Sequence, residues 1–262
     1  MSGQKRIALV TGASSGLGRE FARLLAKEQG VEELWLVARR RERLEALAQE
    51  LAVPSRILAL DLTKEESLRQ IAALFEESGA EALYLVNAAG FGRIGMAADI
   101  GAQVTGRMID LNCRAAAELT ELLLPYMAKG SHVLEIASCA AFQPIPYLAA
   151  YAASKAFLLS YSRALAAEVK SRGISVTAVC PYWIRDTEFI DVAKQTDKAG
   201  LFKGFPFATT QKVVAGRSLW AAKHGFTVFT PDPISTLHRL VTAILPHSFM
   251  IALSNLWRRI TA

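Results

Sequence analysis

Tyr151 and Lys155 stand four residues apart in Tyr151-Ala-Ala-Ser-Lys155, a phenol and an ammonium at helical spacing. A helix over this stretch stacks both side chains on one face. A free tyrosine titrates near ~10, too high to trade protons at neutral pH. Bringing it to ~7 takes roughly 4 kcal/mol, at about 1.4 kcal/mol per unit. One positive charge at ~4 Å supplies about that much at an effective dielectric of ~20. Lys155 can therefore make Tyr151 a working acid/base. Ser138 ends the apolar run His132–Ala137, where its hydroxyl could bond the oxygen that Tyr151 protonates. A Tyr–Lys pair at this spacing is also common surface decoration, so its surroundings decide.

Those surroundings are alternating strands and helices. Short apolar runs at Arg6–Val10, Leu34–Ala38, Arg56–Leu60, Ala82–Val86, His132–Ala137, Ile174–Val179 and Phe226–Thr230 read as strands. Between them lie helical patterns: one ending near Ala52, one opened by a Thr63–Glu66 capping box, and a long one from Gln103 to Met127. Two more run from Tyr151 to about Arg172 and from Thr209 to His224. The alternation predicts an α/β fold, a Rossmann-type doubly wound parallel sheet of about seven strands with helices on both faces.

The first strand runs into Thr11-Gly12-Ala13-Ser14-Ser15-Gly16-Leu17-Gly18 and then a helix. Glycines let backbone approach a pyrophosphate, and the helix N-terminus offers free N–H groups, so this turn predicts a dinucleotide site. The residue about 20 positions further on sets the cofactor's phosphate state. No acid stands there. Ala38 leaves space and Arg39 supplies counter-charge for a 2′-phosphate, which points to NADP(H). Arg41 and Arg43 read as the solvated face of the next helix. Asp61-Leu62 and Asn87-Ala88-Ala89-Gly90 follow the third and fourth strands, and the small residues of the latter let the chain run beneath a flat ring. Residues 186–208 read as irregular and placed over the ligand crevice.

The chain has 262 residues, 52% hydrophobic, with a net charge of +6 and a pI of about 9.3. That balance suits anions but is no nucleic-acid signature. Three cysteines without paired spacing argue against a disulfide frame, and four scattered histidines against a metal site. The strand pattern starts too early for a signal peptide, and no apolar run reaches membrane-span length. The expected location is cytoplasmic. Two units are expected: residues 1–231 with the crevice and its loop, and a C-terminal amphipathic helical extension over 232–262, broken at Pro246. Leu237, Leu240, Val241, Ile244 and Leu245 share one apolar face of it. Phe249, Met250, Leu253, Trp257 and Ile260 make another, with Arg258 and Arg259 on the polar side. Packing on the domain as a pocket wall is the favoured fate, with subunit pairing and weak membrane-surface contact as alternatives.

In order, Thr11-Gly12-x-x-x-Gly16-x-Gly18, Asn87-Ala-Ala-Gly90, Asn112, Ser138 and Tyr151-x-x-x-Lys155 resemble the short-chain dehydrogenase/reductase family, in its shorter single-domain subgroup, over residues 5 to 231. The resemblance implies Tyr151 as general acid/base, Lys155 lowering its pKa and holding the nicotinamide ribose, and Ser138 positioning the substrate oxygen. Asn112 would hold a water linking Lys155 to solvent, Asp61 would contact adenine, and Asn87 would steady the sheet. The implied cofactor surface is Gly12, Ser14, Ser15, Gly16, Leu17, Gly18, Arg39, Asp61, Leu62, Asn87, Ala88, Gly90, Tyr151, Lys155, Pro181 and Thr187. Two departures stand out: Pro181 is followed by Tyr182 rather than glycine, with Thr187 one residue late, and the tail beyond Pro231 is long.

The implied activity is hydride transfer between NADP(H) and a carbonyl/alcohol pair. The competing class is a non-catalytic dinucleotide-binding sensor or scaffold, which has no chemical reason to keep the Asn–Ser–Tyr–Lys set. An epimerase or dehydratase would want a longer substrate domain. The expected pocket lining (Phe91, Ile94, Phe142, Pro144, Tyr147, Tyr182, Trp183, Phe189) is apolar and shows no strong basic clamp. It suits a steroid-, lipid- or acyl-like substrate. Cys113, Cys139 and Cys180 read as packing residues. A homodimer or homotetramer is the expected assembly.

Overall fold

The computed structural model describes residues 4–198, 200, 204 and 206–261, without the side chains of 257–261. Strands β1 (Arg6–Thr11), β2 (Glu33–Ala38), β3 (Ser55–Ala59), β4 (Glu81–Asn87), β5 (His132–Ile136), β6 (Ser175–Val179) and β7 (Val228–Phe229) form one sheet, ordered β3-β2-β1-β4-β5-β6-β7. Every neighbouring pair is parallel. The order reverses between β1 and β4, so a crevice opens at their carboxyl ends, where Thr11 and Asn87 sit side by side.

Helices α1 (Gly16–Leu25), α2 (Arg41–Glu50), α3 (Glu65–Ser78), α4 (Ala97–Ile100), α5 (Ala102–Ile109), α6 (Ala115–Leu123), α7 (Ala149–Glu168), α8 (Phe189–Lys194), α9 (Gln211–Lys223), α10 (Pro233–Ile244) and α11 (His247–Thr261) complete the chain. Successive strand residues point to opposite faces, which is why β1 serves two cores. Val10 packs with Phe21 and Leu25 of α1 and Leu219 of α9, while Leu9 packs with Phe75 of α3, Leu119 of α6 and Leu165 of α7. Each such fully buried side chain contributes about 1.5–3 kcal/mol relative to exposure. This two-sided burial holds the carboxyl ends of β1, β4 and β5 in fixed register.

Several local expectations change. The Thr63–Glu66 capping box does not form: Thr63 gives both its N–H (3.0 Å) and its hydroxyl (2.8 Å) to Asp61, and α3 opens at Lys64 without a side-chain cap. The long Gln103–Met127 pattern is wound in pieces, with a π-turn at Asp110–Arg114 between α5 and α6. Residues 186–208 are not wholly irregular, because Phe189–Lys194 is helical and buries Ala193. β7 shrinks to two residues: it is an edge strand with Pro231 close behind, and Phe226 turns outward to pack at a tilt against Trp220 instead.

Beyond Pro231 the chain winds into α10 and α11, and the stripe on α10 is split: Val241 and Leu245 are half-buried, but its other members face solvent. Leu237, Leu240 and Ile244 are 59%, 60% and 81% exposed. Asp232 decides the orientation. Its carboxylate caps α10 by accepting from the Ser235 N–H (2.8 Å) and reaches the Tyr182 N–H (3.0 Å) beyond β6. Ser235 is thereby fully buried, and Ile234 and His238 turn inward. On α11, Met250 is buried while Phe249 and Leu253 are exposed; Trp257, Arg258, Arg259 and Ile260 lie outside the residues with described side chains. No helix among the described residues is long and apolar enough to cross a membrane.

Candidate active site

Between β1 and α1 the backbone turns at Gly12, with φ +68°, and a Cβ there would lie 2.8 Å from the Ala88 carbonyl oxygen. Only glycine allows both this conformation and this approach of two strand ends. The Ser14 and Ser15 hydroxyls on the turn receive the Arg40 guanidinium, whose Nη2 lies 3.0 and 2.8 Å away. Arg40 also pairs with Glu188, just before α8, at 2.9 Å, and Arg43 meets the same carboxylate at 2.5 Å. Arg43 is thus more than a solvated face, and Arg40, not only Arg39, supplies positive charge at this end. Arg39 lies beside Asp61 across the cavity wall. Burial tends to raise the Asp61 carboxyl, but the Thr63 bonds and the Arg39 and Lys64 charges hold it below its ordinary value.

At the other end, Ser138 leaves β5 and accepts from the Ala140 N–H (3.2 Å), which fixes its hydroxyl toward Tyr151. Tyr151 and Lys155 are both buried on α7. Lys155 Nζ donates to the Ile136 carbonyl at 2.7 Å and lies 5.8 Å from the Tyr151 ring centre. Burial pushes the phenol above its ordinary value; the Ser138 bond opposes this without reversing it. The lowering toward neutrality anticipated from the pair alone is therefore outweighed by desolvation. Burial likewise lowers Lys155, to about 8.

Asn112 sits in the π-turn, a feature that often marks function. Its amide is used at both ends: Oδ1 accepts from the Phe91 N–H (3.0 Å), and Nδ2 donates to the Phe91 carbonyl (2.9 Å) and Ser154 (3.1 Å). A Cβ on Gly90 would stand 2.9 Å from Asn112 Oδ1 and 3.5 Å from Lys155 Nζ, so glycine makes room for both. Asn87 donates to Thr120 (2.9 Å) and Glu135 (2.8 Å), tying β4 to α6 and β5.

A cavity of about 840 Å³ joins the two ends. Ser138, Tyr151, Lys155, the glycine turn, Arg39, Asp61, Leu62, Ala88, Gly90, Pro181 and Thr187 all line it, whereas Asn87 and Asn112 lie behind its wall. Thr187, despite its offset, rests over the turn, its methyl 3.5 Å from where a Gly16 Cβ would be. Of the expected aromatic lining, Phe91, Tyr182, Trp183 and Phe189 face the cavity. Ile94 is instead wholly buried in a small core with Met108, and Phe142 packs with Leu158 and Ala178. All three cysteines are buried, and burial pushes the Cys139 and Cys180 thiols up to about 12, as inert packing residues require.

Some residues at the site escaped sequence reasoning. Arg93 and Arg107 line the cavity where no basic group was expected, although Arg93 spends donors on the Gly92 and Val192 carbonyls and Gln195. Glu135 is wholly buried, and burial raises its carboxyl to about 7 against the Asn87 and Thr120 bonds and the Lys155 charge. An acid inside the apolar run of β5 was the available signal for it.

The short chain dehydrogenase family model matches residues 6–198. The chain belongs to that family. Among relatives, an uncharacterized oxidoreductase of Myxococcus xanthus is 37% identical over 69% of this chain and 72% of its own length. A very-long-chain 3-oxoacyl-CoA reductase of Anas platyrhynchos is 35% identical over 68% of this chain and 59% of its own length. A short-chain dehydrogenase from Sphingobium yanoikuyae, solved with NADPH, superposes with a TM-score of 0.76 at 27% identity, covering 92% of this chain and 96% of that one.

Proposed function

We propose that this short-chain dehydrogenase is an NADP(H)-dependent oxidoreductase that interconverts a ketone or aldehyde and an alcohol on an apolar, lipid-like substrate. One observation carries the reading: Ser138, Tyr151 and Lys155 gather at one end of the cavity whose other end is the glycine turn and Arg40. The residues fit a nicotinamide dinucleotide: the glycine turn lines the cavity and leads into α1, whose uncapped first N–H groups suit a pyrophosphate, and Arg40 with Ser14 and Ser15 offers donors for a 2′-phosphate. Bound there, the cofactor supplies or accepts the hydride.

The chain's own residues then manage the proton and the geometry. In reduction the substrate oxygen sits between the Ser138 and Tyr151 hydroxyls. Ser138, fixed by Ala140, orients it, and Tyr151 gives up the phenolic proton as negative charge develops. The raised phenol is protonated at neutral pH, the form an acid needs. The Lys155 ammonium beside the ring stabilises the phenolate left behind. Phe91, Trp183 and Phe189 exclude water from this end and favour apolar substrates, as does the likeness to a very-long-chain 3-oxoacyl-CoA reductase. The NADPH bound by the Sphingobium yanoikuyae relative supports the phosphate preference.

A cytoplasmic homodimer or homotetramer, with 232–262 as an extension of a 1–231 domain, belongs to the same reading. Exposed Phe157 and Trp220 suit subunit contacts and support the assembly alone. The test is a panel of long-chain and aromatic ketones followed by loss of NADPH absorbance; no turnover of any member would reject the reading.

A further inference from the structure

The charges that line the cavity are not spread evenly. Its acids are Asp61 and Glu188, and both stand at the cofactor end, one beside Arg39 and the other paired with Arg40. The substrate end holds Arg93, Arg107 and Lys155, and the lining offers them no acid of their own.

Arg107 owes its place to helix geometry. Val104, Arg107 and Leu111 all line the cavity, at i, i+3 and i+7, a stripe that runs from α5 into the π-turn. A charge between two apolar residues of one stripe faces the same space they do. Arg107 is exposed, and among the described residues it has no hydrogen bond or ion pair.

Arg93 reaches the same space from the loop after β4. Its neighbour Gly92 is pressed against the acid/base: a Cβ there would lie 3.0 Å from the Tyr151 ring and 3.0 Å from Phe189. Arg93 Nη1 donates to the Gly92 carbonyl at 3.1 Å, which keeps the guanidinium at this end. Ile94 and Met108, which follow the two arginines in the chain, are buried in one small core with Tyr151. Burial, and then the Arg107 charge, lower the Arg93 pKa. Two like charges in a partly dry wall repel, and an anion between them relieves both.

We propose that Arg107, with Arg93 beside it, forms an anion subsite for the substrate, an apolar carbonyl compound or alcohol that carries a carboxylate or phosphate some bonds from its reacting carbon. This rests on the function proposed above and narrows it. The planar guanidinium fork matches either anion, while Phe91, Trp183 and Phe189 take the apolar part between the two ends.

The test uses ω-benzoylalkanoates of short, medium and long tether, each beside its primary amide and the matching ω-benzoylalkyl phosphate. The amide keeps the shape and loses the charge. Binding to the intact protein is measured by calorimetry with NADP⁺ present, so that Arg39 and Arg40 are engaged, and turnover by NADPH absorbance. At the best tether an anion should bind about three- to tenfold tighter than the amide, with the gain shrinking in high salt. The tighter of the two anions names the group. Arg107→Gln should bring the ratio near one and Arg107→Glu below it; Arg107 has no bond to lose, so both should fold. Equal binding of all three probes at every tether, or a preference that survives Arg107→Glu, would overturn the subsite. A preference lost in Arg40→Ala and kept in Arg107→Gln would put the anion at the cofactor end and do the same. An anion preference in binding without reduction of any probe would uphold the subsite and sink the reductase reading; reduction of all three at equal affinity would do the reverse.

Discussion

Arg40 reaches across the mouth of the cavity to Glu188, with Nη1 2.9 Å from Oε2. The carboxylate occupies the cation that a 2′-phosphate would use, and Arg43 and Arg40 together hold Glu188 below the usual carboxylate range. Glu188 and a 2′-phosphate are thus competitors. Glu188→Gln should tighten NADPH binding by about two- to fivefold, the size of one exposed ion pair, and leave NADH nearly unchanged. Arg40→Ala should weaken NADPH by at least about tenfold. Cofactor titrations by fluorescence decide this, and an equal effect on both cofactors would exclude competition.

Tyr151→Phe removes the transferable proton and little else. kcat should fall by at least about a hundredfold, while the NADPH dissociation constant stays within about twofold. Steady-state rates beside cofactor titration test the split; a variant keeping a tenth of its kcat would remove Tyr151 from the proton path.

Lys155 must be charged to stabilise the phenolate, and its pKa lies near 8, lowered by burial. Reduction should therefore slow as pH rises through about 8. The Glu135 anion raises Lys155, so Glu135→Gln should move this limb to lower pH. Stability carries a second signature. Glu135 is raised from 4.5 to about 7 on folding, so its contribution is full below about 4.5 and is lost as pH rises through about 7. Urea midpoints should drop across that window, by on the order of 1–3 kcal/mol in stability, in the parent chain but not in Glu135→Gln. A shared pH profile would show that Glu135 is electrically silent.

Gly90→Ala drives a methyl to within 2.9 Å of Asn112 Oδ1. Asn112 is clamped at both amide ends, so Lys155 or the Phe91 backbone must shift. The expected loss is about tenfold or more in kcat, with 1–3 kcal/mol of stability, the scale of overpacking. Wild-type turnover in this variant would mean the junction yields freely.

Asp232→Ala removes both the α10 cap and the acceptor for Tyr182. Losing a cap costs about 1 kcal/mol, and an unpaired N–H adds roughly 1–3. Denaturation should show a loss of about 2–3 kcal/mol. KM for bulky ketones should rise, with NADPH affinity unchanged; a KM that stays put would detach the extension from the pocket.

How legible was all this in the sequence? The sheet was, because buried parallel strands must be apolar throughout and their helices must repeat at near four. The Gly12 turn, Ser138 and the Tyr151–Lys155 pair were legible too, since their spacing is local. What escaped depends on distant segments meeting. Nothing near Arg40 announces Glu188, and the stripe at Leu237, Leu240 and Ile244 reads as an inner face until Asp232 turns α10 over. The phenol's pKa escaped for a related reason: a pair of residues reveals charge, but burial belongs to the whole fold.

The bond from Tyr182 to Asp232 also sets a schedule. A ribosome adding roughly 5–20 residues per second makes Asp232 on the order of ten seconds after Tyr151. In that interval the seat for a dinucleotide can already be complete, while the wall carrying Ile234, His238 and Ser254 does not yet exist. A nascent chain can thus take up its cofactor while the substrate end, already lined by Phe91, Trp183 and Phe189, still lacks one of its walls.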